Sequence, residues 1–236
     1  MRTRLRNKGY GIIGQMLIRI SLVALIVVSA GNIATGGIKK MFKGGENKAE
    51  EKAPTGDIDI YDLSLEDNLY TPEITKNNSV VSEFQLKEAR ELKKKGYNVE
   101  LMRDGEVIIV TLLAGQLFAP NDTTLNDVGK LSLRPLLKYL ATPDMYKMIL
   151  VMHTDNTGSE TYTKELSKAR VDAIFSWIED NASADYVVPY AVGADEPLYP
   201  NNSVENRRLN RRLEIYLVPG NIMAKQALTG KLNFNR

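Results

Sequence analysis

Apolar positions along the chain change their period several times, and each change marks an element. Val81, Phe84, Ala89 and Leu92 recur at helical spacing, and the pattern stops at Gly96 behind the lysine-rich ELKKKGY. Residues 97–102 and 107–113 then read as strands on either side of Arg103-Asp104-Gly105, a hairpin turn signal. Ser132 is placed to cap a second helix, with Pro135 tolerated in its first turn, ending near Leu140. A strand over 148–152, a long helix over 159–181, and strands over 186–192 and 211–218 complete the set. The order β-α-β-α-β-β predicts an α/β fold, an α+β sandwich with helices packed on one face of a mixed sheet.

Upstream the pattern is different. Arg2, Arg4, Arg6 and Lys8 precede an apolar stretch over 9–38, densest at ISLVALIVV. Basic residues before an apolar run mark the cytoplasmic side of a segment handed to the export machinery. Small residues at Val28-Ser29-Ala30 suit cleavage as a signal peptide, whereas residues 20–38 are long enough to stay as a transmembrane helix. Both readings put the rest of the chain outside the cytoplasm. Residues 44–79 are rich in glycine, proline, acids and amides without a sustained period, which reads as a flexible linker. The expected organisation is therefore a signal or membrane segment over 1–43, the linker, a folded domain over 80–220 and an unpatterned tail over 221–236.

Composition removes several classes of chemistry. The chain has 236 residues, 43% hydrophobic and 25% charged, with a formal net charge of +2 and no clustered basic stripe, so nucleic acid is not an expected partner. It has no cysteine, which excludes thiol catalysis, zinc–thiolate sites, disulfides and acylation of an N-terminal cysteine. A single histidine, His153, excludes a multi-histidine metal site. No nucleophile signature accompanies that ring, so it reads as a packed residue at a strand end. No enzyme, metal or cofactor is expected. A wall-cleaving glycosidase would need two poised carboxylates, and the nearest acids to Asp155, Glu160 and Glu165, read as solvated helix-surface charges.

The chemistry that remains lies in HTDNTGSETYTKELSKAR, residues 153–170. Asp155 follows the 148–152 strand, and Arg170 lies fifteen positions on, at the border of an apolar stripe formed by Tyr162, Leu166, Ala169, Ala173, Ile174, Trp177 and Ile178. Ligands of open α/β sheets gather at such strand-to-helix crevices. Asp155 can accept from an ammonium, and Arg170 offers a planar fork for a carboxylate. The two together fit the zwitterionic end of an amino acid, or they pair with each other as a structural ion pair; the spacing leaves both open.

These residues resemble the peptidoglycan-binding C-terminal domain of the OmpA family. That family's signature, TD, ten residues, LS, two residues and Arg, is matched without a gap by Thr154-Asp155, Leu166-Ser167 and Arg170. A second motif, Asn-Thr-x-Glu-Gly-Arg-x-x-Asn-Arg-Arg before a strand, is matched by Asn202 to Arg212 with Asn206 in place of the glycine. Leu117-Phe118-Ala119 is a third and weaker match, and the likeness covers residues 98–218. The resemblance implies non-catalytic binding of peptidoglycan through the D-centre of the stem-peptide diaminopimelate. Asp155 takes the amine and Arg170 the carboxylate; Thr157, Arg211, Asn121 and Thr163 supply further polar contacts. Thr163 stands where the family usually has Asn, a longer hydrogen-bonding group. The other arginines of the second motif brace the sheet edge. The implied setting is the envelope of a Gram-negative-type bacterium, with the domain in the periplasm and the N-terminal segment in the inner or outer membrane. The implied partner beyond the wall is an envelope protein complex, for secretion or motility, or a second copy in a homodimer. A flagellar stator role needs a proton-carrying carboxylate inside the membrane helix, and residues 9–38 hold no Asp or Glu.

Overall fold

The computed structural model describes residues 61, 63–69 and 79–232. The expected signal or membrane segment and most of the expected linker lie outside the described residues. Among those described, no helix is long and apolar enough to cross a membrane.

Helix α1 is a single turn, Leu65–Asn68, and α2 runs Ser79–Lys94. Val81, Gln85, Ala89 and Leu92 form the buried face of α2, and Gly96 ends it with a φ of 88°. The hairpin β1 (Asn98–Met102) and β2 (Val107–Leu113) turns through Arg103, Asp104 and Gly105, all at positive φ. Next come α3 (Ala114–Leu117), α4 (Asp127–Leu133), a 3-10 helix (Arg134–Leu140) and β3 (Tyr146–His153). Helix α5 (Glu160–Glu179) crosses over to β4 (Val187–Gly193), the parallel partner of β3. Helix α6 (Val204–Asn210), β5 (Arg212–Pro219) and α7 (Asn221–Leu228) complete the described chain.

The five strands lie in the order β1-β2-β5-β3-β4, with β5 antiparallel to both neighbours. This is the expected α/β class, with a mixed sheet. One face carries Ile108, Val110, Met148, Leu150, Ile215 and Leu217 into a core shared with α2, the 3-10 helix, α5 and α7. The opposite face carries Val107, Ile149, Val151 and Val218, packed with Leu65 and Leu69 from the segment around α1.

Four expectations need correction. First, residues 63–69, expected as linker, dock on the sheet. Asn68 is fully buried, donates to the Tyr190 hydroxyl (2.7 Å) and accepts from Lys147 Nζ (3.0 Å). Leu65, Leu69 and the Asn68 amide hold this segment, with the carbonyls of Leu63 and Leu69 accepting from Tyr190 Oη and Arg103 Nη1, too few side chains to show a period. Second, the tail is part of the core: Met223, Ala224 and Ala227 of α7 are buried. Its entry depends on a close approach, because a Cβ on Gly220 would sit 2.1 Å from the Asp144 carbonyl oxygen. Third, Ser132 is not a cap. The helical stretch begins earlier, at Asp127, where the Asn126 side chain accepts from Gly129 N (2.7 Å), and Ser132 Oγ donates back to Val128 O.

Fourth, the buried face of α5 is Thr163, Ser167, Arg170, Val171, Ile174 and Ile178, with Tyr162 and Ala169 turned to solvent. The first half of this helix buries polar side chains because it packs beside the polar end of the sheet. Arg170 thus lies inside the stripe instead of at its border.

Candidate functional site

Register decides which residues meet. Arg212 pairs with Leu113 on one side and His153 on the other, so the end of β2, the end of β3 and the start of β5 lie side by side. Asp155, Arg211 and the loop after α3 therefore collect at one end of the sheet. Thr154 N donates to Gly193 O (2.7 Å), and Gly193 N donates to the buried Ser167 Oγ (3.1 Å), which ties the ends of β3 and β4 to α5.

Asp155 is 4% exposed. Its Oδ1 accepts from Thr157 N at 2.8 Å, and its Oδ2 forms an ion pair with Arg211 Nη1. Burial alone would push the carboxyl pKa up. Hydrogen bonds from Thr157 and the Arg211 guanidinium outweigh that and hold it below the usual aspartate value. Thr157 itself is exposed, in a turn closed by Gly158 at a φ of 110°; Ser159 then caps α5 by accepting from Tyr162 N.

Arg170 is equally buried, at 4%. It does not pair with Asp155. Its Nε donates to Asp122 O (2.8 Å) and its Nη2 to Ala119 O (3.3 Å), while the guanidinium carbon stands 5.0 Å from the centre of the Phe118 ring. Burial lowers its pKa, and the positive charge of Arg211 pushes the same way. Arg170 thereby fixes the loop after α3. Within that loop Asn121 adopts a φ of 58°, and Asp122 Oδ1 accepts from Thr123 N and Thr124 N.

The ion pair open at the sequence level is thus made, but by Arg211. That residue ends α6, and its side chain is 38% exposed against 5% for Asp155. The structure brings Asp155, Thr157, Arg211 and Arg170 to one end of the sheet, with Asn121 on the loop that Arg170 holds. Thr163 is buried in the α5 interface, and its hydroxyl donates to Glu160 O of its own helix (2.9 Å). His153 is a buried strand-end residue, with Nε2 3.8 Å from Glu214 Oε2. Sequence reasoning missed the carbonyls of Ala119 and Asp122, which no side-chain pattern reports, and the outward position of Tyr162. Among the described residues no group of three His, Asp or Glu side chains could hold a metal ion.

Chemically, the site offers one ionised carboxylate and two guanidinium groups in a largely buried setting. A carboxylate has about four acceptor positions. Asp155 therefore keeps capacity for an ammonium beside its present partners. Arg170 commits the edge carrying Nε to backbone carbonyls, so an incoming carboxylate would meet the end of the fork at Nη1 and Nη2.

No family model matches the chain. It is 27% identical over 128 residues to the Escherichia coli protein named "Probable lipoprotein YiaD", covering 54% of this chain and 58% of that protein. It is 26% identical over 110 residues to "Outer membrane protein A" of Bordetella avium, covering 46% and 57%. The chain thus spans less than three fifths of these curated relatives. Among solved structures, a MotB-like protein from Desulfovibrio vulgaris superposes with a TM-score of 0.54 at 20% identity, over 61% of this chain and 96% of that one. That likeness concerns the fold. The chain is thus similar in part of its sequence to a protein named as an outer membrane protein A, and in fold to a MotB-like protein.

Proposed function

We propose that this chain is a non-catalytic wall anchor, whose OmpA-like domain grips peptidoglycan through the diaminopimelate of the stem peptide while its N-terminal segment is held in a membrane. One observation carries the reading: Asp155 and Arg170 converge on one end of the sheet as separate groups, each positioned by other partners. Asp155 is paired with Arg211 and Arg170 with backbone carbonyls, so the two are not committed to each other, which supports a carboxylate for an amine beside a fork for a carboxylate. Arg211 and Thr157 complete the rim on the Asp155 side, and Asn121 stands on the loop braced by Arg170. The chain has no cysteine, so its attachment would be the apolar N-terminal stretch and not a lipid on cysteine. The domain would then work in the periplasm of a Gram-negative-type envelope, linking a membrane, and any protein complex assembled there, to the wall.

The test is co-sedimentation of the full chain, in mild detergent, with purified peptidoglycan sacculi. Wild type should sediment. Asp155→Asn and Arg170→Lys, which keep size or charge but lose the recognition geometry, should each weaken binding by about tenfold or more. Melting curves run in parallel separate lost binding from lost folding. No soluble fragments should be released from the sacculi. A wild type that stays in the supernatant, or folded variants that sediment as well as it does, would overturn the reading.

A further inference from the structure

Two charge contacts hold an amino-acid centre by its ammonium and its carboxylate, yet two points cannot distinguish its mirror image. A third contact must act on one remaining substituent. Tyr162 is the side chain that bridges the two halves of the site. The side chain is 40% exposed, outside the core to which its spacing assigned it. Its ring lies on the turn that carries Asp155 and Thr157, so closely that a Cβ on Gly158 would come within 2.7 Å of Cδ1. Its hydroxyl reaches the other half of the site and donates a long hydrogen bond to Asn121 Oδ1 (3.4 Å), on the loop held by Arg170. The ring thus spans from the turn that carries Asp155 to the loop that Arg170 holds.

We propose that Tyr162 is the specificity-determining wall of this site, the third point that admits one configuration of a zwitterionic amino-acid centre and rejects the other by steric exclusion. The inference rests on the proposed amino-acid recognition and names the residue that enforces its handedness. Exclusion of the wrong substituent is the cheaper route to discrimination, since it needs no added affinity for the right one. Gly158 matters for the same reason: only a residue without Cβ lets the ring lie flat on the turn.

The experiment measures binding of free meso- and L,L-diaminopimelate to the full chain by calorimetry, for wild type, Tyr162→Phe and Tyr162→Ala, beside sedimentation with sacculi. Wild type should prefer the meso form, which alone of the two has a D-centre, by about tenfold or more. Tyr162→Phe keeps the wall and should keep the preference, with a small loss of affinity for both forms. Tyr162→Ala should bind both forms within about twofold of each other while its melting curve shows a folded protein. A wild type that binds both forms equally, or a folded Tyr162→Ala that keeps the full preference, overturns the role of Tyr162 and leaves wall binding standing. A wild type that binds neither form nor sacculi overturns the wall-binding reading, and this inference falls with it.

Discussion

Arg211 and Arg212 are adjacent in the chain and live in different electrostatic worlds. Arg212 points into the sheet's second face, 3% exposed. It donates to Glu214 Oε1 (2.8 Å), to Asn210 O (3.2 Å) and to Glu196 O (3.3 Å). Glu214 is equally buried and also accepts from the Tyr216 hydroxyl. Arg211 points to the other side, 38% exposed, with the Asp155 carboxylate as its side-chain ion-pair partner. The alternation of a strand start sends neighbouring side chains to opposite faces. The first arrangement spends its donors on fixed acceptors and is a structural brace. The second leaves donors at a surface and keeps a buried carboxylate ionised.

Breaking the brace should have the largest effect. Arg212→Met leaves Glu214 charged and buried without the Arg212 guanidinium, and should cost about 3–5 kcal/mol of folding stability. Combining it with Glu214→Leu removes both charges, so much of that loss should return. Denaturant unfolding measures both. If the double variant is no more stable than the single one, the two groups are not the coupled pair described here.

The site should instead reveal itself through pH. The Asp155 carboxyl lies below its usual value in the folded chain, against burial, through Thr157 and Arg211. It therefore contributes stability that is fully present above the unfolded value of about 4, and lost as pH falls through the folded value. Asp155→Asn should flatten that acid limb of the stability curve between about pH 5 and pH 2 while leaving the neutral-to-alkaline limb unchanged in shape. An unaltered acid limb would show that the carboxylate gains nothing from its surroundings.

The smallest effect is expected where the second motif faces water. Arg208 meets Glu205 one turn earlier at 2.7 Å, with both side chains well exposed. Arg208→Ala should leave the melting midpoint and sedimentation with sacculi within error of wild type, because exposed pairs of this kind contribute little. A clear loss of binding there would extend the ligand surface onto α6 and blur the contrast between the two arginines.

The sequence was informative where local rules act alone. The α2 period and its Gly96 stop, the hairpin turn, the long helix α5 and the last strand, expected over 211–218 and found at Arg212–Pro219, follow from propensity and pattern, and the α/β class with them. Asp155 and Arg170 were legible as candidates because a strand end and a buried helix face restrict what a charged residue can do there.

Other features depend on contacts between distant residues. The docking of Asn68 on Tyr190 and Lys147, and the seating of α7 against Asp144, each use one or two side chains far apart in the chain, so no window of sequence carries them. The partner of Asp155 was a question of register: β5 placed beside β3 brings Arg211 to it, while Arg170 is drawn to the carbonyls of a loop some fifty residues upstream. Backbone carbonyls have no letter in the sequence. The chain's own pattern therefore determined which charges stand at this end of the sheet, and the pairing of strands decided which partner each of them meets there.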